Sequence, residues 1–172
     1  GYINLNNKKI EVKYLQSMAK TLSHRGPDDS GHWIENNVGI AHTRLSIIDL
    51  SKNGIQPMLS NNERYILSYN GEIYNFKNIK KKLELRGYKF KSKTDSEVIL
   101  AAWQEWQENS ILHLNGMFAF VIFDRKLNEL FLIRDRYGIK PIYYFHSENG
   151  FYFGSEQKSI FANPDINKKI NF

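Results

Sequence analysis

Met117-Phe118-Ala119-Phe120-Val121-Ile122-Phe123 is followed, after the polar stretch Asp124 to Asn128, by Leu130-Phe131-Leu132-Ile133. An unbroken apolar run, a short turn and a second apolar run read as the two antiparallel strands of a hairpin. An antiparallel strand with one face in water alternates apolar and polar side chains. These strands do not alternate, so both faces of the hairpin are expected to be covered. Two sheets face to face with helices outside would cover them. The expected fold is therefore α+β, a four-layer α-β-β-α sandwich of two antiparallel sheets between helices.

Outward from the hairpin, further elements are legible. Thr94-Asp95-Ser96-Glu97 has capping-box spacing and opens a helix whose face is Ile99, Ala102, Trp103 and Trp106. Phe76, Ile79 and Leu83 form the apolar stripe of another helix, solvated outside by Lys77, Lys80, Lys81 and Lys82. Tyr14, Leu15, Met18 and Leu22 mark a third. Strands are expected at Tyr2 to Leu5, His32 to Glu35, Val38 to His42 and Leu45 to Ile48, with a turn at Asn36-Asn37. A further strand from Arg64 to Tyr69 is expected to end at Asn70-Gly71, a common turn pair. Ser23 to Gly31 reads as a polar loop.

Composition narrows the function. The 172 residues suit one domain with a real core. The net charge of +6 sits on helix faces and loops, with no basic stretch interleaved with exposed aromatics, so no nucleic-acid partner is expected. No apolar run is long enough to span a membrane, and no signal peptide opens the chain, so the expected setting is cytoplasmic. There is no cysteine, which excludes disulfides, Cys-based metal sites and a thiol nucleophile within these residues.

Five segments carry polar residues that composition alone does not require: Ser23 to Gly31, His42 to Asp49, Tyr69 to Asn75, Thr94 to Glu97, and Arg134 to Pro141. Each has an ordinary structural reading: a surface Arg, a hairpin Asn-Gly, an Asp answering a helix dipole. Together, with Gln56-Pro57-Met58, they stand in an order and spacing that resembles the class II glutamine amidotransferase domain of glutamine-hydrolysing asparagine synthetases. The resemblance runs from the first strand to about Ile160. It implies the N-terminal nucleophile hydrolase fold, which is the four-layer sandwich inferred above. It also implies a domain over 1–163, with 164–172 beginning the connection to a C-terminal synthetase domain.

The resemblance assigns the site. Free glutamine is a zwitterion with a side-chain amide. Arg44 matches the Arg that grips its α-carboxylate, a task suited to a planar bidentate cation. The following Leu45, Ser46, Ile47 and Ile48 help line the pocket. Asp95 matches the ammonium partner, with Glu72 beside it. Asn70, through its side-chain amide, and Gly71, through its backbone N–H, match the oxyanion hole, where glycine allows close approach and unusual dihedrals. No metal or cofactor is expected in this domain; ATP and Mg belong to the synthetase domain, which would activate aspartate. The expected partners are glutamine and that domain, with a homodimer left open. Arg134 to Pro141 and Phe153 to Glu156 are candidates for the contact with it, or ordinary loops.

In the family the nucleophile is an N-terminal cysteine whose α-amine is the base, in a start reading Cys-Gly-Ile-x-Gly. Gly1 aligns with the second glycine, so the chain as written is expected to be inactive for lack of that Cys. The alternatives are the amidotransferase domain of another glutamine-dependent synthase, or a non-catalytic domain that senses glutamine.

Overall fold

The computed structural model describes residues 1–45 and 54–167. They form nine strands, β1 (Tyr2–Asn4), β2 (Asp29–Glu35), β3 (Val38–Arg44), β4 (Met58–Leu59), β5 (Tyr65–Ile73), β6 (Gly116–Asp124), β7 (Glu129–Arg134), β8 (Tyr143–His146) and β9 (Gly150–Gly154). Four α-helices accompany them, α1 (Val12–Lys20), α2 (Phe76–Glu84), α3 (Asp95–Trp106) and α4 (Gln157–Phe161). The chain divides into two compact units, Gly1–Leu45 with Pro141–Phe172, and Ser46–Lys140.

The second unit holds the hairpin. Its sheet runs β4-β5-β6-β7, with every neighbouring pair antiparallel. On one face Phe118, Phe120 and Ile122 of β6 pack with Tyr65, Leu67, Tyr69 and Ile73 of β5. Ile79 and Leu83 of α2 and Val98, Ile99, Ala102 and Trp103 of α3 close that core. Each fully buried Leu, Ile or Phe contributes about 1.5–3 kcal/mol of transfer free energy. Ala119, Val121 and Phe123, on the other face of β6, are buried as well. Double coverage thus holds for β6, as its unbroken run requires. It is weaker for β7, where only Ile133 is buried, because β7 is the sheet edge. The hairpin turn is held by Asp124, which takes the Arg64 guanidinium (Nη2 to Oδ2 2.6 Å) and the N–H groups of Lys126 and Leu127.

The strand from Arg64 does not stop at Asn70-Gly71. β5 passes straight through both residues to Ile73, paired with β6 throughout. The glycine serves close approach instead of a turn: a Cβ at Gly71 would lie 2.2 Å from the Met117 carbonyl oxygen. The capping box is only half formed. Thr94 Oγ1 accepts the Glu97 N–H, but the Glu97 carboxylate takes the N–H groups of Lys91 and Ser92.

The first unit has a sheet in the order β2-β3-β1-β9-β8. Tyr2 at its centre stacks on Tyr152, ring centroids 5.8 Å apart. Leu15 and Met18 of α1 and Ile160 of α4 complete this core, so the face expected for α1 is the buried one. β2 begins at Asp29, which shortens the expected loop to a single 3-10 turn, Ser23–Arg25, and its connection. Each sheet carries its own pair of helices. The strand expected at Leu45 to Ile48 lies outside the described residues except for Leu45, which follows β3.

Asp135 organises the segment after β7. Its buried carboxylate accepts N–H groups from Phe118 (3.1 Å), Tyr137 (3.0 Å), Ile139 (3.0 Å) and Lys140 (3.1 Å). Burial alone would raise this carboxyl; the four N–H donors outweigh it and bring it from 3.8 down to about 2. An asparagine offers one acceptor oxygen and turns an NH₂ towards amide donors. Asp135→Asn is expected to cost about 2 kcal/mol. Between pH 4 and pH 2 the unfolded chain binds the extra proton, so this contribution is full above that window and is lost as pH falls through it. Thermal melts of both proteins across that range should therefore converge on acidification; a constant gap would count against this account.

Candidate active site

The far end of β5 brings several expected residues together. The N–H of Tyr69 donates to Gln56 Oε1 (2.6 Å), and the N–H of Ile73 donates to Asp95 Oδ2 (3.0 Å). Both donors leave β5 on the edge away from β6. Gly71 lies between them, and the alternation of an extended strand turns its N–H to the same edge. The short β4 pairs only with Ile66 and Leu67, so it ends before this stretch. Glycine is required because β6 crosses so close, and its positive φ (158°) is the unusual dihedral expected there.

Asn70 is next to it, on the opposite face from Tyr69. Its Nδ2 is buried and, among the described residues, has no hydrogen-bond partner. A buried amide donor without an acceptor costs about 1–3 kcal/mol, so native folds retain few of them. Glu72 shares the Asn70 face of β5 and is exposed.

Asp95 is buried at the first turn of α3, where Thr94 caps the helix. Its Oδ2 accepts from the Tyr69 hydroxyl (2.6 Å) as well as from Ile73. Gln56 extends the same connection: its Nε2 donates to Ser96 Oγ (3.3 Å) in the first turn of α3. The Gln56-Pro57-Met58 motif is thereby explained as a tie between the β5 edge and the start of α3.

Arg44 belongs to the first unit, at the end of β3 and half-buried. Its backbone is fixed on both sides. The Arg44 carbonyl accepts the Asp28 N–H (3.1 Å), and a Cβ at Gly26 would lie 2.3 Å from the Thr43 carbonyl carbon. The Ser23-His24-Arg25-Gly26 loop is pinned in turn by Glu156, which takes Lys158 (2.9 Å), Arg25 (3.1 Å) and His24 (3.0 Å). The bond from Lys158, then those from Arg25 and His24, draw the Glu156 carboxyl down to about 2 against the opposing effect of burial. His42, two residues before Arg44, is pushed down to about 4 by burial and then by the Arg44 charge, so it is neutral at pH 7. Leu45 is described and exposed; Ser46, Ile47 and Ile48 lie outside the described residues.

A family model described as "Glutamine amidotransferase domain" matches residues 1–172. The chain belongs to this family. The amidotransferase domain is 42% identical over 174 residues to asparagine synthetase [glutamine-hydrolyzing] 3 of Bacillus subtilis, covering 99% of this chain and 28% of that protein. It is 36% identical to asparagine synthetase B [glutamine-hydrolyzing] of Escherichia coli, over 93% of this chain and 29% of that one. The chain thus spans less than a third of either relative. Among solved structures, a glutamine phosphoribosylpyrophosphate amidotransferase from B. subtilis superposes with a TM-score of 0.78 over 94% of this chain and 42% of that one. At 19% identity that likeness shows the fold alone, and the fold is the N-terminal nucleophile hydrolase fold that the motifs implied.

Two contributors were missed in the sequence. Tyr69 and Gln56 both stood inside the quoted motifs, but nothing in their spacing shows that one would bind Asp95 and the other the β5 backbone. β8, β9 and α4 lie outside the elements expected from the sequence. The aromatic runs Tyr143-Tyr144-Phe145 and Phe151-Tyr152-Phe153 around Glu148-Asn149-Gly150 were the available signal.

Proposed function

We propose that this domain hydrolyses L-glutamine to glutamate and ammonia, as the glutaminase half of a glutamine-hydrolysing asparagine synthetase. The observation that supports this most directly is the buried Asn70 Nδ2, without a partner among the described residues, next to the Gly71 N–H on the edge of β5 away from β6. Two donors of this kind suit the oxygen that turns negative when a nucleophile attacks the glutamine amide. Arg44 would hold the α-carboxylate in a bidentate pair, with Leu45, Ser46, Ile47 and Ile48 lining the pocket, and Asp95 and Glu72 would face the α-ammonium.

The chemistry needs a nucleophile, and the 172 residues include no cysteine. In the proposed mechanism the thiol of a Cys four residues ahead of Gly1 attacks the amide carbon, its own α-amine taking the proton. The amine passes that proton to the departing ammonia, and water then hydrolyses the thioester to glutamate. A free α-amine has an ordinary pKa of about 7.7, suited to a base near neutral pH. The ammonia would serve a synthetase domain in the remainder of the protein, which would use ATP and Mg to activate aspartate in the cytoplasm.

The test is to place Cys-Gly-Ile-Ala ahead of Gly1. A Cβ at Gly1 would lie 2.4 Å from the Phe153 ring, so this glycine must be kept. Ammonia release from glutamine is expected with the free N-terminal Cys, and its loss when that Cys is replaced by Ala or preceded by another residue. Equal ammonia release from the unextended chain would exclude the thiol mechanism.

A further inference from the structure

Asp95 and Tyr69 form a buried hydrogen-bonded pair between α3 and β5. The Tyr69 ring is buried and packs in a T-shaped contact with Phe120, centroids 6.5 Å apart. That hydroxyl donates to Asp95 Oδ2 at 2.6 Å, and the Ile73 N–H donates to the same oxygen at 3.0 Å. Two donors occupy Oδ2. Among the described residues, none donates to Oδ1. Burial, and then the negative charge of Asp95, push the Tyr69 hydroxyl well above its ordinary value, so it stays a donor at any physiological pH.

We propose that Tyr69 is a positioning residue for substrate binding: together with the Ile73 N–H it anchors Asp95 by Oδ2 and leaves Oδ1 as the oxygen that meets the α-ammonium of glutamine. The inference rests on the reading of Asp95 given under the proposed function. Its physical basis is the geometry of a carboxylate. With one oxygen fixed by two donors from β5, the direction of the second is set before substrate arrives, and less rotamer freedom is lost on binding. A purely structural tether between β5 and α3 would use the same bond without any preference for what the ligand carries.

The two readings separate on a pair of ligands. Glutamine carries the α-ammonium; glutaramate is glutamine without it. The chain has no thiol of its own to turn glutamine over, so both can be titrated calorimetrically at equilibrium. Tyr69→Phe keeps the ring and removes one donor to a charged acceptor. It is expected to weaken glutamine by about 10-fold and to leave glutaramate unchanged. Tyr69→Phe added to Asp95→Asn should have no further effect, since its action passes through that carboxylate. Unchanged glutamine affinity in Tyr69→Phe, equal weakening of both ligands, or full additivity with Asp95→Asn would overturn the proposal. If Asp95→Asn alone leaves glutamine binding intact, the reading of Asp95 itself fails, which is a different result. Thermal melts of each variant confirm that binding is measured on folded protein.

Discussion

Gly71→Ala is expected to lower the free energy of unfolding by about 3 kcal/mol, at the upper end of what overpacking a core costs. The added methyl would sit 2.2 Å from the Met117 carbonyl oxygen, 2.7 Å from Phe118 Cα and 2.9 Å from the Tyr69 ring. The first two are backbone atoms of β6, the strand directly paired with Gly71. β6 cannot yield cheaply, because it is hydrogen-bonded on both sides and buried on both faces. Dihedral strain adds to this, since φ at Gly71 is +158°, a conformation that residues with a side chain rarely adopt. The effect should appear as a lower urea midpoint with an unchanged m-value. A loss below about 1 kcal/mol would mean that the strands part easily and that packing does not require the glycine.

Asn70→Ala is expected to do the reverse: little to stability and much to activity. In the chain extended with Cys-Gly-Ile-Ala, kcat for ammonia release should fall by about 10²–10³, the usual cost of one oxyanion donor. The melting temperature should move by only a few degrees, because the Asn70 Nδ2 has no hydrogen bond to lose among the described residues. KM for glutamine should change little, since this donor acts on charge that develops during attack. If Asn70 were instead a structural residue, stability and activity would fall together. Steady-state kinetics and thermal melts on the one variant decide between these outcomes.

Much of the second unit was legible in the chain itself. The run Met117 to Phe123 required coverage on both faces, and β6 has it. Ile79 with Leu83, and Ile99 with Ala102 and Trp103, marked the buried faces of α2 and α3 by helical spacing alone. Thr94 marked the start of α3. These features are local: a 3.6-residue or two-residue period, or a capping side chain, is written in neighbours and survives any tertiary arrangement.

Asn70-Gly71 shows where local reading stops. The pair is a common turn signal, yet β5 runs through it, because the space beside Gly71 is set by a strand more than forty residues away. The capping-box glutamate likewise takes the amides of Lys91 and Ser92, while the Thr94 amide donates to Ser92 Oγ. At the candidate site, sequence order by resemblance named Arg44, Asn70, Gly71 and Asp95, and composition showed that no thiol lies among the 172 residues. Which site donor lacks a partner among the described residues, which oxygen of Asp95 is already occupied, and that Tyr69 occupies it, were decided only by the tertiary structure. The physical reason is that hydrogen-bond satisfaction belongs to a place in the fold. The same Asn or Asp is anchored or free according to what distant strands and helices bring within about 3 Å of it.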